Sequence, residues 1–344
     1  MLLSIVIPVF NEEESLPILM EQIQKVCAEN HYEKEVLFVD DGSRDGSWQI
    51  ITSLAASASD VKAIRFRRNF GKAAGLEAGF QAASGDFILT MDADLQDDPA
   101  EIPNFLAKLE EGFDLVSGWK KVRHDPWHKV YPSRVFNRMV SRLTGVHLHD
   151  HNCGMKCYRA AVAHSLPIFG ERHRFLPVLA GSRGWRVGEI IIQHRKREFG
   201  HSKYGFSRFM KGFMDLLSVH FVTAYGQRPQ HLLGVYGTFL TVLSFFFFLI
   251  SGIGLAAHDF YWHFGPGAEA LRTASNAQPI WSPLLFYVGS GVLILSCLGM
   301  LLGGTFFAVG MAAELMAAFH QQPKAENYEV SEKIGISDAN SSAR

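Results

Sequence analysis

The sequence predicts a doubly wound α/β domain on a mostly parallel sheet, followed by a pair of membrane-spanning helices. Three observations carry that prediction. Short apolar, β-branched runs alternate with helical periodicities through the N-terminal part of the chain. Carboxylates gather where those runs end. Two long stretches nearer the C-terminus carry no charge at all.

Residues 3–9 (LSIVIPV) read as a strand buried on both faces. Residues 15–28 place Leu16, Leu19, Ile23 and Val26 on one helical face. Residues 35–39 (EVLFV) repeat the strand signal and run into Asp40-Asp41-Gly42-Ser43. A helix around 45–58 and a strand at 61–66 (VKAIRF) follow. The Gly-rich NFGKAAGLEAGF is a loop and helix start, and DFILTM at 86–91 is the next strand. In such sheets ligands bind beyond the carboxyl ends of the strands, where Asp40, Asp41, Asp92 and Asp94 all fall.

Residues 232–257 and 284–313 are free of charge, and each exceeds the roughly 20 residues that cross a hydrocarbon core. Between 229 and 313 only Asp259, Glu269 and Arg272 are charged. Two spans make a hairpin with both termini on one side. Lys203, Arg208, Lys211 and Arg228 precede the first span, whereas the intervening loop has Arg272 alone. The positive-inside bias therefore places the large domain in the cytoplasm and the chain in the inner membrane as a multi-pass protein.

Two further segments look interfacial. In 204–222, Phe206, Phe209, Met210, Phe213, Leu216, Leu217 and Phe221 repeat at helical spacing, with cations off the stripe. In 133–143, Arg134, Arg138 and Arg142 recur behind Ser133, a good N-cap, and face either solvent or lipid phosphates. The expected organisation is a catalytic domain at 1–202, an interfacial region at 203–230, two spans within 231–314, and a polar cytoplasmic tail at 315–344. Beyond about residue 320 that tail is expected to be loosely ordered. A net charge of −1 gives no bias toward nucleic acid. Cys27, Cys153, Cys157 and Cys297 form no disulfide framework, which suits a reducing compartment. The opening MLLSIVIPVFNEEE reads as a strand and not as a cleavable signal.

Two places concentrate ligand-type side chains. MDADLQDDP, residues 91–99, ends an apolar strand in Asp92-x-Asp94 and Gln96, an oxygen-only set that suits Mg²⁺ or Mn²⁺ shared with substrate phosphates. HLHDHNCGMKC, residues 147–157, alternates His147, His149 and His151, which an extended segment would put on one face beside Cys153 and Cys157. A zinc site there stays open at this point.

IVIPVFNEEESL, VDDGSRDGS, RNFGKAAGLEAGF, ASGDFILTMDADLQDDP and FGHSKYG together resemble family 2 glycosyltransferases of the GT-A fold. Within them the nearest likeness is to polyprenyl-phosphate glycosyltransferases, the group of dolichol-phosphate mannose synthases and bacterial undecaprenyl-phosphate hexosyltransferases. The resemblance runs in order from residue 3 to about 230, and the hairpin fits the bacterial members. It implies a GT-A (Rossmann-like) catalytic domain that moves a hexosyl unit from a UDP- or GDP-sugar to undecaprenyl phosphate, with inversion. A divalent cation, Mg²⁺ or Mn²⁺, serves as cofactor, and the assembly is a homo-oligomer, a tetramer in the related two-span enzymes.

By that resemblance, Pro8, Phe10, Asn11 and Glu12 match the nucleotide-binding P-x-Y-N-E loop, with Phe10 in place of tyrosine. Asp40 and Asp41 match the pair that meets base and ribose. Asp92, Asp94 and Gln96 match the metal- and diphosphate-binding D-A-D-L-Q, with Asp94 counted as catalytic. Lys120, beside Trp119, stands where the family commonly has Ser-Arg and is expected to contact the acceptor phosphate. Lys129 and Ser133 match a basic-x3-Ser element for the acceptor phosphate, aided by Arg123 and Arg134. Arg197, Ser202 and Lys203 match R-x-x-G-x-S-K, whose cations hold diphosphate or acceptor. HDHNCGMKCYR aligns with the family's D-x-x-[ST]-G-F-[RK]-x-Y-R loop, which makes Asp150 an orienting group or weak base and gives Lys156 and Arg159 positive charge. Two alternatives remain beside it. One is a membrane-anchored metal-binding protein using the 147–157 cluster. The other is a processive polysaccharide synthase, against which stand the missing Q-x-x-R-W and the two spans.

Overall fold

Alternating apolar runs become sheet wherever helices cover both faces. The structure, a computed structural model, describes residues 1–122, 127–166, 168, 172–195, 206–225, 229–265, 281–319 and 330–336. Strands β1 (Leu2–Val9), β2 (Glu33–Asp40), β3 (Val61–Phe66), β4 (Phe87–Thr90), β5 (Leu115–Trp119), β6 (Lys156–Arg159), β7 (Val187–Ile191) and β8 (Val330–Ile334) form one sheet in the order β7-β5-β6-β4-β1-β2-β3-β8. β1 pairs in parallel with β2 and β4, β2 with β3, and β5 with β7. β6 runs antiparallel to β4 and β5, so β4 and β5 share a direction and end on the same side. This is the expected mostly parallel, GT-A-like sheet.

The alternation of β1 explains its burial. Leu3, Ile5 and Ile7 point into a core shared with helices α1 (Leu16–Glu29), α2 (Ser47–Ser57) and α4 (Ile102–Glu110). Val6 points the other way, into a core with α3 (Lys72–Ala82), α5 (Trp127–Thr144), α6 (Ala160–Ser165) and α7 (Leu176–Ser182). Both faces are covered, so the strand reads as a continuous apolar run. Gly79 permits the closest contact, since a Cβ there would meet the side chain of Val6.

Three expectations are corrected. Ser133 is not a helix cap: α5 begins at Trp127 and carries Pro132 inside it. The segment 204–222 does form a helix, α8 (Phe206–Tyr225), but part of its stripe faces protein. Leu216 and Val219 are fully buried in the core with Phe136, Val140 and Phe175, while Met214 and Leu217 stay exposed. The tail, expected to be loosely ordered, supplies β8, antiparallel to β3, with Glu332 paired to Arg65 and Ile334 to Ala63.

The chain divides into two compact units, Met1–Ala224 with Lys324–Arg344, and Tyr225–Pro323. The second unit is a hairpin of α9 (Pro229–Phe264) and α10 (Trp281–Phe319). Both helices are long and apolar enough to cross a membrane. Small residues line their contact: a Cβ on Gly237 would stand 2.6 Å from the Gly303 carbonyl, and Ser251 Oγ donates to the Gly289 carbonyl at 2.5 Å. Gln230 N–H donates to Glu314 at 3.2 Å, so the two helices run antiparallel. Phe239, Phe246, Ile253, Leu295 and Leu301 point outward, as a lipid-facing surface requires.

Candidate active site

The loops after β1, β2 and β3 are stitched into one floor. Asn11, in a left-handed conformation at φ 57°, receives a hydrogen bond from Arg44 N–H at 2.9 Å and donates its own N–H to Ser43 Oγ at 3.0 Å. Glu12 N–H donates to Ser47 Oγ at 2.9 Å. Pro8 packs near Gly75 on α3, and Phe10 and Glu12 are half-buried above the strand end. Asp40 is fully buried, accepts Ser43 N–H at 3.1 Å and faces Arg65 Nε at 3.4 Å. Asp41 accepts two backbone N–H groups, Phe70 at 2.6 Å and Gly71 at 2.9 Å. Burial raises the pKa of both carboxyls despite these donors. The expected nucleotide-site pair thus also ties β2 to the loop that opens α3.

The loop after β4 is a second acidic cluster. Asp92 pairs with Lys72 through its Oδ1. Asp94, buried, accepts Gln96 N–H at 3.2 Å, and Gln96 lies 3.3 Å from His194 through its amide nitrogen. Leu95 between them holds φ at 60°, a left-handed conformation that a non-glycine residue rarely adopts. Asp97, fully buried, meets Lys120 Nζ at 2.8 Å, and Asp98 meets Arg195 at 2.6 Å. Arg195 N–H also donates to the Gln96 carbonyl at 3.1 Å, so residues 193–195 are fastened along this loop.

Three ammonium groups therefore converge here: Lys72 from the start of α3, Lys120 from the end of β5 and Lys156 from the start of β6. Burial opposes the charge of Asp92, but these lysines, Lys72 foremost, outweigh it and pull its pKa down to about 2. For Lys72 and Lys120, burial works against the charged form and the aspartates overcome it, raising both. Lys156 is fully enclosed, donates to the Cys153 carbonyl and is lowered by that burial.

The 147–157 segment does not assemble a metal centre. His147 is exposed, His149 stacks on Trp119 at 3.9 Å between ring centroids, and His151 is fully buried against Ser141 Oγ at 3.0 Å. Glu189 binds both the ring and the N–H of His149. Cys153 and Cys157 are buried thiols, with Cys153 pushed up to about 12 by burial. Among the described residues no group of three His, Cys, Asp or Glu converges for a metal. The alternation that suggested a shared face belongs to a coil that turns, not to an extended strand. Asp150 is buried and accepts Asn152 N–H at 3.1 Å. Arg159 sits at the far end of β6, donating to the Phe113 and Leu109 carbonyls, away from the acidic loop.

Ser133 lies on α5, half-buried, and the side chain of Lys129 lies outside the described residues. Arg123, Arg197, Ser202 and Lys203 also lie outside them. Sequence reasoning missed Lys72, Asp97 and His173. Lys72 stood in the quoted NFGKAAG, and a cation one residue after a glycine at a helix start was its signal. His173, with a buried Nδ1 lacking a hydrogen-bond partner, shares the electrostatic neighbourhood of Lys72, Lys156 and Asp92. No sequence pattern marks it.

The donor set fits a hard divalent cation. Asp92 and Asp94 offer oxygens only, with the Gln96 side chain beside them, and Gly154 leaves a cradle over the cluster: a Cβ there would come within 2.7 Å of Asp92 Cγ. Two protein carboxylates leave room for water and substrate oxygens, the usual manner of Mg²⁺.

Comparison with known proteins adds four findings. The model of the family described as Glycosyl transferase family 2 matches residues 4–166. An undecaprenyl-phosphate 4-deoxy-4-formamido-L-arabinose transferase from Klebsiella pneumoniae subsp. pneumoniae is 34% identical, over 94% of this chain and 90% of its own. A dodecaprenyl-phosphate galacturonate synthase from Rhizobium johnstonii is 39% identical, over 73% of this chain and 75% of its own. Among solved structures, glucosyl-3-phosphoglycerate synthase from Mycobacterium tuberculosis, in complex with Mn²⁺, uridine-diphosphate and phosphoglyceric acid, shares the fold. Its TM-score is 0.50 at 17% identity, with 64% of this chain and 78% of that one covered.

Proposed function

The chain belongs to glycosyltransferase family 2, and on that premise we propose that it transfers a hexosyl unit from a UDP- or GDP-sugar to polyprenyl phosphate at the cytoplasmic face of the inner membrane. One observation carries the proposal: Lys72 and Lys120 both pair with aspartates of a single acidic loop at the carboxyl end of the sheet. Such a cluster of carboxylates and ammonium groups suits a cation and an anionic donor, a nucleoside diphosphate, and the membrane-length helices suit a lipid phosphate acceptor. The names of the two relatives, each built on a polyprenyl phosphate, support the same acceptor.

In this reading Pro8, Phe10, Glu12, Asp40 and Asp41 bind the nucleoside end of the donor. Asp92, Asp94 and Gln96 would hold Mg²⁺ or Mn²⁺, which when bound supplies positive charge at the leaving diphosphate. Arg197 and Lys203 add charge to the same group by family resemblance. Lys120, committed to Asp97, shapes the acidic loop, so Arg123, Lys129 and Ser133 take the acceptor phosphate. The bond from the anomeric carbon to the diphosphate oxygen breaks as one to the acceptor phosphate oxygen forms, and the diphosphate leaves with the electron pair. Attack from the opposite face inverts the carbon. A phosphate monoester has a second pKa near ~6 and is already ionised, so Asp150 need only orient it. The unit acts as a homo-oligomer, as related two-span enzymes do.

Steady-state kinetics on purified membranes test these roles. Asp94→Ala abolishes transfer to undecaprenyl phosphate while the protein stays folded; wild-type turnover at saturating Mg²⁺ would overturn the metal assignment. Lys129→Ala and Ser133→Ala raise the apparent KM for lipid phosphate more than that for nucleotide-sugar. A collapse confined to nucleotide-sugar affinity would move those residues to the donor site.

A further inference from the structure

The four aspartates of the loop after β4 are not neutralised in the same way. Asp97 is sealed against Lys120, with the carboxylate fully buried, and Asp98 is held by Arg195, whose other arm reaches Gln22 at 2.8 Å. Those pairs are built into the fold. The partner of Asp92 is different. Lys72 reaches it from the first residue of α3, on a four-carbon stem, and both side chains are about one-third exposed, at 32% and 34%. Its ammonium sits on Oδ1 of a residue that the cation site needs.

The backbone aims Lys72 there deliberately. Gly71 holds φ at 93°, with no atom within 4 Å of where its Cβ would stand, so the glycine serves the turn and not a crowded contact. Both N–H groups on that turn, Phe70 and Gly71, are taken by the two carboxylate oxygens of Asp41. Asp41 thereby fixes the residue immediately before Lys72, and it does so from the end of β2. On the other side of Asp92, Gly154 lets the backbone lie close against the carboxylate, where any Cβ would collide with Oδ2.

We propose that Lys72 is an exchangeable counterion: its ammonium competes with the divalent cation for Asp92 Oδ1, and entry of the cation frees Lys72 for the donor's diphosphate. This deepens the proposed function and rests on its assignment of Asp92 to the cation. Two positive charges cannot share one carboxylate oxygen at low cost, whereas a diphosphate welcomes both. The cation therefore binds weakly to the protein alone and tightly once a diphosphate can receive the displaced ammonium. Linkage makes the effect mutual, so the cation strengthens diphosphate binding by the same factor. Asp41 is a positioning residue in this device, acting through the turn at 70–71.

Electron paramagnetic resonance of free Mn²⁺, titrated into the full-length protein in detergent without nucleotide, tests the proposal. Lys72→Met binds Mn²⁺ roughly tenfold more tightly than the wild type, because the competing charge is gone. Lys72→Arg, which keeps a cation on the turn, stays within about twofold of the wild type. Asp92→Asn removes the tight site from both the wild-type and the Lys72→Met backgrounds. Thermal unfolding confirms that each variant is folded, and Lys72→Gln replaces Lys72→Met if the latter is not. Unchanged or weaker Mn²⁺ binding in the charge-removing variant, Lys72→Met or its replacement Lys72→Gln, with Asp92→Asn still abolishing it, would overturn the exchange alone. Mn²⁺ binding indifferent to Asp92→Asn would overturn the cation assignment beneath it.

Discussion

Burial decides what His151 can do. Its ring is enclosed, bonded to Ser141 through Nε2, and its pKa is pushed down to about 4, first by burial and then by Lys156. The unfolded chain titrates near 6.5, so above that pH the group contributes nothing to pH dependence. As pH falls from about 6.5 toward 4, the unfolded state takes up a proton that the folded state refuses, and stability drops by up to about 3 kcal/mol. Thermal unfolding of the wild type and of His151→Gln between pH 7 and 4 checks this: the wild type loses more stability over that interval, and parallel losses would contradict it. At this scale the sequence was partly legible. Asp92 and Asp94 declared themselves because two acids end an apolar strand. Lys72, Lys120 and Asp97 form their pairs only when the fold brings the start of α3 and the end of β5 to the loop after β4, and spacing along the chain does not carry that information. The histidines at 147, 149 and 151 misled because alternation has meaning only on an extended strand.

Elements were legible where periodicity was strong. The runs at 3–9, 35–39, 61–66 and 86–91 became β1 to β4 within a residue or two. β8 escaped notice because it is an edge strand of polar residues, with only Val330 and Ile334 half-buried, and its pattern is set by β3 and not by its own composition. α8 was recognised as amphipathic, but hydrophobicity alone does not distinguish a lipid surface from the face of α5 that buries Leu216 and Val219. The hairpin makes the firmest prediction at this scale. Gly303 faces the backbone of Gly237 so closely that a Cβ would stand 2.6 Å from its carbonyl oxygen, leaving no space for a side chain. Gly303→Leu forces α9 and α10 apart at a cost of about 1–3 kcal/mol and lowers the thermal unfolding temperature in detergent, while Gly304→Leu, on an open face, leaves it unchanged. Equal effects from the two substitutions would mean the helices do not pack along this line.

For the whole molecule, two units divide the work. An α/β sheet places Asp40, Asp41, Asp92, Asp94 and Lys120 at the carboxyl ends of its strands, and a helical hairpin has the length and apolarity of a membrane anchor. Composition separates them cleanly, which is why the architecture was readable from the chain, while the identity of the sugar is written in contacts that no motif spells out. The central claim is transfer of that sugar to a lipid phosphate. Radiolabelled UDP- and GDP-sugars, incubated with membranes containing the protein and added undecaprenyl phosphate, measure it directly. The expected result is label in an organic-extractable, mild-acid-labile product that depends on both the lipid phosphate and Asp94. Label that enters a water-soluble polymer instead, or that forms equally without undecaprenyl phosphate, would contradict it.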